Sequence, residues 1–137
     1  DIVMMLNGAL AGLVAITAEP LTPGPITAMF IGSIGAIIMY FGTKMLESYG
    51  LDDVVGAIPV HMFAGIFGTL VVPLTNSDTS FGTQFIGTAS VCIFSFGLSW
   101  ITFTLLKSTI GLRISKAAEK LGTDKAEVGV TAYSIRD

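Results

Sequence analysis

The one histidine of the chain, His61, lies within residues 54–77, a stretch free of Asp, Glu, Lys and Arg, inside the segment VVGAIPVHMFAGIFGT. Imidazole is the side chain best suited to accept and release protons near neutral pH. Placed deep in an apolar segment it costs free energy unless it has a partner or a task. Ala57 lies four residues before it, and Ala64, Gly65 and Gly68 lie three, four and seven after, so at helical spacing His61 shares a face with small side chains alone. Two uses fit such a face: another helix fills the groove, or the groove lines a narrow conduit into which His61 projects. A packing histidine bonded to a backbone carbonyl and a conducting-path histidine are equal readings at this point. Pro59, two residues earlier, should free a carbonyl near Val55 and bend the helix, which membrane helices tolerate when a neighbour or water satisfies the freed group. The opposite face carries Phe63, Phe67 and Leu70, suited to lipid or helix contact.

Elements that could hold such a histidine follow from composition. Hydrophobic residues make up 52% and charged residues 12% of the chain, and the mean hydropathy is +0.78, which places it in a bilayer rather than among soluble domains. Charges are missing from residues 2–18, 20–43, 54–77 and 79–106, each close to or above the roughly 18 residues that a spanning helix needs. The expected architecture is all-α, a polytopic transmembrane helix bundle with helices at about 2–18, 24–45, 54–75 and 83–107 and a cytoplasmic tail at 108–137. The chain opens on Asp1 directly before an apolar run, without the basic start of a signal peptide, and reads as the tail end of something longer.

Six of the seven Lys and Arg fall at or after Lys107, and the seventh, Lys44, ends the second span. By the positive-inside rule the tail and the 46–53 loop are cytoplasmic, and the loops at 19–24 and 76–82, which hold no Lys or Arg, lie outside. Both outer loops carry turn residues, Pro20, Pro23, Gly24 and Pro25 in one and Asn76, Ser77, Asp78 and Ser80 in the other. Short connections make successive spans antiparallel neighbours. Gly8 with Gly12, Ala28 with Gly32 and Ala36, and Gly65 with Gly68 offer close helix approach, and Cys92 is a packing residue.

Asp52 and Asp53 open the third helix, where carboxylates cap free N–H groups and complement the helix dipole. Thr17 and the serines and threonines of the spans can bond back to helix carbonyls. No paired carboxylates for hydrolysis, Ser/His/Asp set, phosphate-binding loop or Cys/His metal spacing occurs, so the chain is read as neither an enzyme nor a metal or cofactor protein.

Three ordered motifs carry a resemblance along the whole chain: NGALAGLVAITA from Asn7, DDVVGAIPVH from Asp52 with GIFGTL from Gly65, and GLRIS from Gly111. They resemble the last spans and tail of the Amt/Mep/Rh ammonium transporter family. That resemblance implies a partial ammonium-transporter fold, spans eight to eleven with the eighth truncated, plus the cytoplasmic C-terminus. It also implies a multi-pass protein of the cell membrane, inner or plasma, that moves ammonium or ammonia in nitrogen uptake as a homotrimer with one pore per subunit. Through the family likeness His61 matches the second of two mutually bonded pore histidines that strip and relay the ammonium proton, and the first belongs to the fifth span, for which this chain has no histidine. Thr17 and Ala57 become pore-lining candidates, and Gly111, Arg113 and Tyr133 become candidates for coupling the tail to a neighbouring subunit. The family tail can also lie near a PII-type signalling protein. Here the tail is more basic through Lys116, Lys120 and Lys125 and lacks the family's histidine before Ala132-Tyr133, a departure that counts against PII control. No cofactor is implied. The rival readings are an ammonium-sensing receptor of the same fold and a non-conducting packing module.

Overall fold

The computed structural model describes residues 2–132 and is helical throughout its regular structure; Tyr133 lies outside the described residues. Two compact units are present, Asp1–Ile93 and Phe94–Asp137. In the first, α1 (Ile2–Ile16) and α2 (Pro25–Ser48) are followed by a π-helical segment (Ile58–Phe63) that runs directly into α3 (Ala64–Val71) and a closing 3-10 turn (Val72–Leu74). Helix α4 (Phe81–Thr109) starts in this unit and ends in the second, which also holds α5 (Lys116–Leu121) and a π-helical turn (Asp124–Val128).

Local chemistry sets the ends of these helices. Pro25 stands in the first turn of α2, where its missing N–H costs nothing and its fixed φ suits the helix. Ser80 caps α4, its Oγ accepting from the Thr83 amide at 3.2 Å, after an Asn76 side chain that accepts from the Asp78 amide at 2.9 Å to form the turn. Helix α2 has 24 residues and α4 has 29, spans of about 36 and 43 Å at 1.5 Å per residue, and both are long and apolar enough to cross a hydrocarbon layer of about 30 Å. Helix α1 and the 58–74 run are apolar but shorter.

Small residues build the interior of the first unit. Ala11, Met39, Val60 and Ala64 form its buried cluster, with Met4 and Val14 packed against it. A Cβ on Gly35 would press on the Ala15 side chain and the Ala11 carbonyl, and one on Gly68 would run into the Ala15 backbone, so α1 lies against both α2 and α3 at glycine distance. Of the positions expected to permit close approach, Gly12, Gly32 and Gly68 do so, whereas Gly8 and Gly65 face only side chains at ordinary contact distance. Gly35 and Gly42 add two approaches that the expected pairs did not include, although Gly35 follows Gly32 at the spacing of Gly65 and Gly68. Outside, Leu13, Phe30, Phe41 and Met29 are exposed, and α4 buries none of its residues. Glycine and alanine at the helix contacts, with many large apolar side chains left outside, is the pattern expected where lipid gives helices no hydrophobic reason to associate and close van der Waals contact takes over.

A polar link joins two loops at one end of this unit. The Asn76 amide donates to Glu19 Oε2 at 2.8 Å, while Glu19 Oε1 accepts from the Leu21 amide at 3.2 Å. These bonds, that from Asn76 first, hold the Glu19 carboxyl below the usual carboxylate range. A carboxyl whose folded pKa is depressed adds stability above its unfolded pKa and loses it as pH falls through the folded one. Native protein should therefore melt higher than Glu19→Gln at neutral pH, and the two should converge under acid conditions. A gap that stays constant across the titration would refute the link.

Candidate functional site

His61 sits on the π-helical segment, and the way the chain enters that segment determines where the ring goes. The sequence expectation starts the third helix near residue 54, but helical turns begin at 57–58, because Gly56 adopts φ +73°, a left-handed conformation that breaks the run. The Asp53 carboxylate accepts from the amides of Ala57 at 2.9 Å and Ile58 at 2.8 Å, so it caps the helix from just outside its first turn. Pro59 brings no N–H, and the Val60 amide reaches back to the Gly56 carbonyl at 3.1 Å. The Val55 carbonyl, the group expected to be freed by Pro59, accepts from the Asn7 side-chain amide of α1 at 2.9 Å. Asp52 stands beside Asp53 and lines a recess of about 190 Å³ with Thr43, Glu47, Gly56 and Pro59; His61 is not among its lining residues.

Within the segment the Ala64 amide bonds to the Pro59 carbonyl five residues back, the signature of a widened turn. Its effect is to separate residues that regular α spacing would align. Ala64 and Gly68, expected on the His61 face, are buried against α1, whereas His61 and Ala57 are exposed on the surface of this unit. The groove of small residues is thus divided: a helix fills its second half and the first half, with the imidazole, stays open. Pro59 and Val60 are buried, and Phe63 packs against Gly42 of α2, where any side chain at that position would collide with its ring. Among the described residues no group hydrogen-bonds the His61 ring.

Thr17 lies just past the end of α1, exposed, and its hydroxyl donates to Leu13 O at 2.9 Å and Val14 O at 2.6 Å. Its proton is therefore held by its own helix, as hydroxyls in apolar helices usually are. In the second unit Gly111 ends α4 at φ +80°, with its amide and that of Ile110 both bonding Leu106 O at 3.0 Å. Arg113 Nη2 pairs with Glu119 Oε1 at 2.6 Å, a contact that holds the guanidinium protonated even more firmly than usual, and Ser115 caps α5 by accepting from the Ala118 amide at 3.2 Å. Both members of that ion pair are well exposed, so it adds little stability. The Asp124 carboxyl, which accepts from the Ala132 amide at 2.8 Å, is held below the usual range, first by that bond. No group of three or more His, Cys, Asp or Glu among the described residues could hold a metal ion.

Asn7 and the Glu19–Asn76 link are the polar features that the residue types and spacings do not single out by role. A lone carboxamide in an otherwise apolar helix is the signal that could have marked Asn7, since such a group needs a partner wherever water is scarce.

A family model described as the Ammonium Transporter Family matches residues 1–133. The chain is 38% identical over 154 residues to ammonium transporter Amt2 of Archaeoglobus fulgidus, an alignment covering 97% of this chain and 33% of that protein. It is 34% identical to ammonium transporter Amt2 of Methanocaldococcus jannaschii, covering 97% and 34%, and 32% identical to an ammonium transporter of Corynebacterium glutamicum, covering 94% and 32%. The chain spans about a third of the length of these relatives.

Proposed function

Because the chain belongs to the Ammonium Transporter Family, a family of helical membrane bundles, we propose that it is part of a protein that moves ammonium or ammonia across the membrane, with His61 as a proton relay in a narrow apolar pore. The observation that carries this reading is an imidazole presented on the open side of a packed helical unit with no bond to any described group, two residues beyond a proline-marked, doubly capped helix entry. An ionisable side chain in an apolar membrane segment is costly to keep, which favours a functional role for it.

Physical chemistry supports the division of labour. A bare ammonium ion pays heavily to leave water for a dry conduit, whereas neutral ammonia loses little. A neutral imidazole can accept a hydrogen bond from the incoming cation, take its proton and hand it on. Ala57 lines the open side next to His61, and Thr17, whose hydroxyl proton is occupied, offers only an acceptor lone pair. Spans eight to eleven and the cytoplasmic tail are the portion this chain represents, with the tail inside, as the clustering of Lys and Arg after residue 107 indicates. The assembly is a homotrimer, and Gly111, Arg113 and Tyr133 couple its tails.

The test uses the full-length protein that carries this chain, reconstituted in proteoliposomes. An inward ammonium gradient should evoke a current or an internal pH change well above that of empty vesicles. Binding of ammonium without flux would replace this reading by that of a receptor.

A further inference from the structure

On the reading of His61 as the relay, we propose that Asn7 is a positioning residue for it, acting through the Val55 carbonyl. The Asn7 Nδ2–Val55 O bond, 2.9 Å long, joins residues 48 apart and ties α1 to the stretch of chain that enters the His61 segment. Gly56 lies directly against it: a Cβ there would stand 2.6 Å from Asn7 Nδ2 and push the amide from its place, and the φ of +73° favours glycine on its own account.

The backbone groups at this entry are matched in turn. Asp53 takes the amides of Ala57 and Ile58, Gly56 O takes that of Val60, Pro59 has none to give, and Val55 O receives the Asn7 amide. Asp53 fixes where the helix starts along its axis, since it belongs to the same stretch of chain. Asn7 comes from a different helix and fixes the entry laterally against α1. His61 lies six residues after Val55 within a π-helical turn, a departure from the regular α ladder that is frequent at functional sites. Without the Asn7 bond the start of that turn loses its lateral tie, and the ring is free to rotate away from the path it serves. A displacement of about 1 Å in a reacting group can cost on the order of a hundredfold in rate.

The experiment compares Asn7→Ala, Asn7→Asp and His61→Ala with native protein, full length and in proteoliposomes, across a range of pH, with assembly checked by size-exclusion chromatography. Asn7→Ala should lower ammonium flux by roughly tenfold or more without loss of assembly. Asn7→Asp is isosteric but donates only when its carboxyl is protonated. Its flux relative to native should therefore be low at neutral pH and recover on acidification, a titration step that a purely space-filling role for Asn7 would not produce. Native flux in both Asn7 variants, with His61→Ala inactive, would overturn the positioning role and leave the relay intact. Native flux in His61→Ala would overturn both. If Asn7→Ala does not assemble, the Asn7→Asp profile decides alone, and a pH-independent ratio to native refutes the proposal.

Discussion

Replacing His61 with alanine should reduce ammonium flux through the full-length protein by about two to four orders of magnitude, the range over which a positioned proton-transfer group acts. The ring is exposed and unbonded among the described residues, so its removal opens no cavity in the Ala11, Met39, Val60 and Ala64 cluster. A structural loss should then be small, and native melting behaviour alongside lost flux would isolate the transport role. Ammonium uptake in vesicles, measured with the melting curve on the same preparations, makes the comparison direct. Flux within a factor of two of native would refute the relay, whatever the family membership.

Gly68→Ala should be the most damaging single methyl group in the first unit. The added Cβ would collide with the Ala15 carbonyl oxygen and stand 2.8 Å from the Ala15 Cα and carbonyl carbon. Because the obstacle is backbone, no rotamer change relieves it, and α1 and α3 must separate. Overpacking of this kind costs about 1–3 kcal/mol. Gly65, three residues earlier on the same helix, is the control: its Cβ would meet only Val14 Cγ1 at 3.6 Å, an ordinary contact. Melting of the detergent-solubilised assembly should fall for Gly68→Ala and barely move for Gly65→Ala. Equal melting temperatures would show that α1 does not pack on α3 as closely as described.

What the sequence could and could not disclose divides along the range of the interactions. His61, Pro59 and the freed carbonyl near Val55 are readable from residue types alone, since proline's missing N–H is a local property. The partner of that carbonyl is not, because the Asn7 bond spans 48 residues and exists only once α1 lies against the helix entry. Likewise Gly56 could be read as one more small residue; its φ of +73° comes from how the chain turns out of the 49–55 loop, and it moves the helix start from 54 to 57–58. Asp53 is legible as a cap because capping depends on a few neighbouring residues, and it does accept two amides. The separation of His61 from Ala64 and Gly68 is not, since a regular α period assumes a uniform turn and the Pro59–Ala64 bond departs from it. The existence of an apolar helical bundle is evident from hydropathy and charge gaps, which sum over many residues and tolerate local exceptions.

The widened turn at Ile58–Phe63 also bears on how chain length is constrained here. A π turn is an α turn with one residue more, so the segment behaves as a single-residue insertion kept in place. Removing one residue would restore α periodicity and rotate the helix entry by about 100° relative to α3. Either His61 would keep its direction and Ala64 with Gly68 would leave the α1 contact, or the packing would persist and the imidazole would swing aside. Substitutions in this stretch can be absorbed singly, but a change in its residue count cannot, and for this segment length is as much a determinant as residue type.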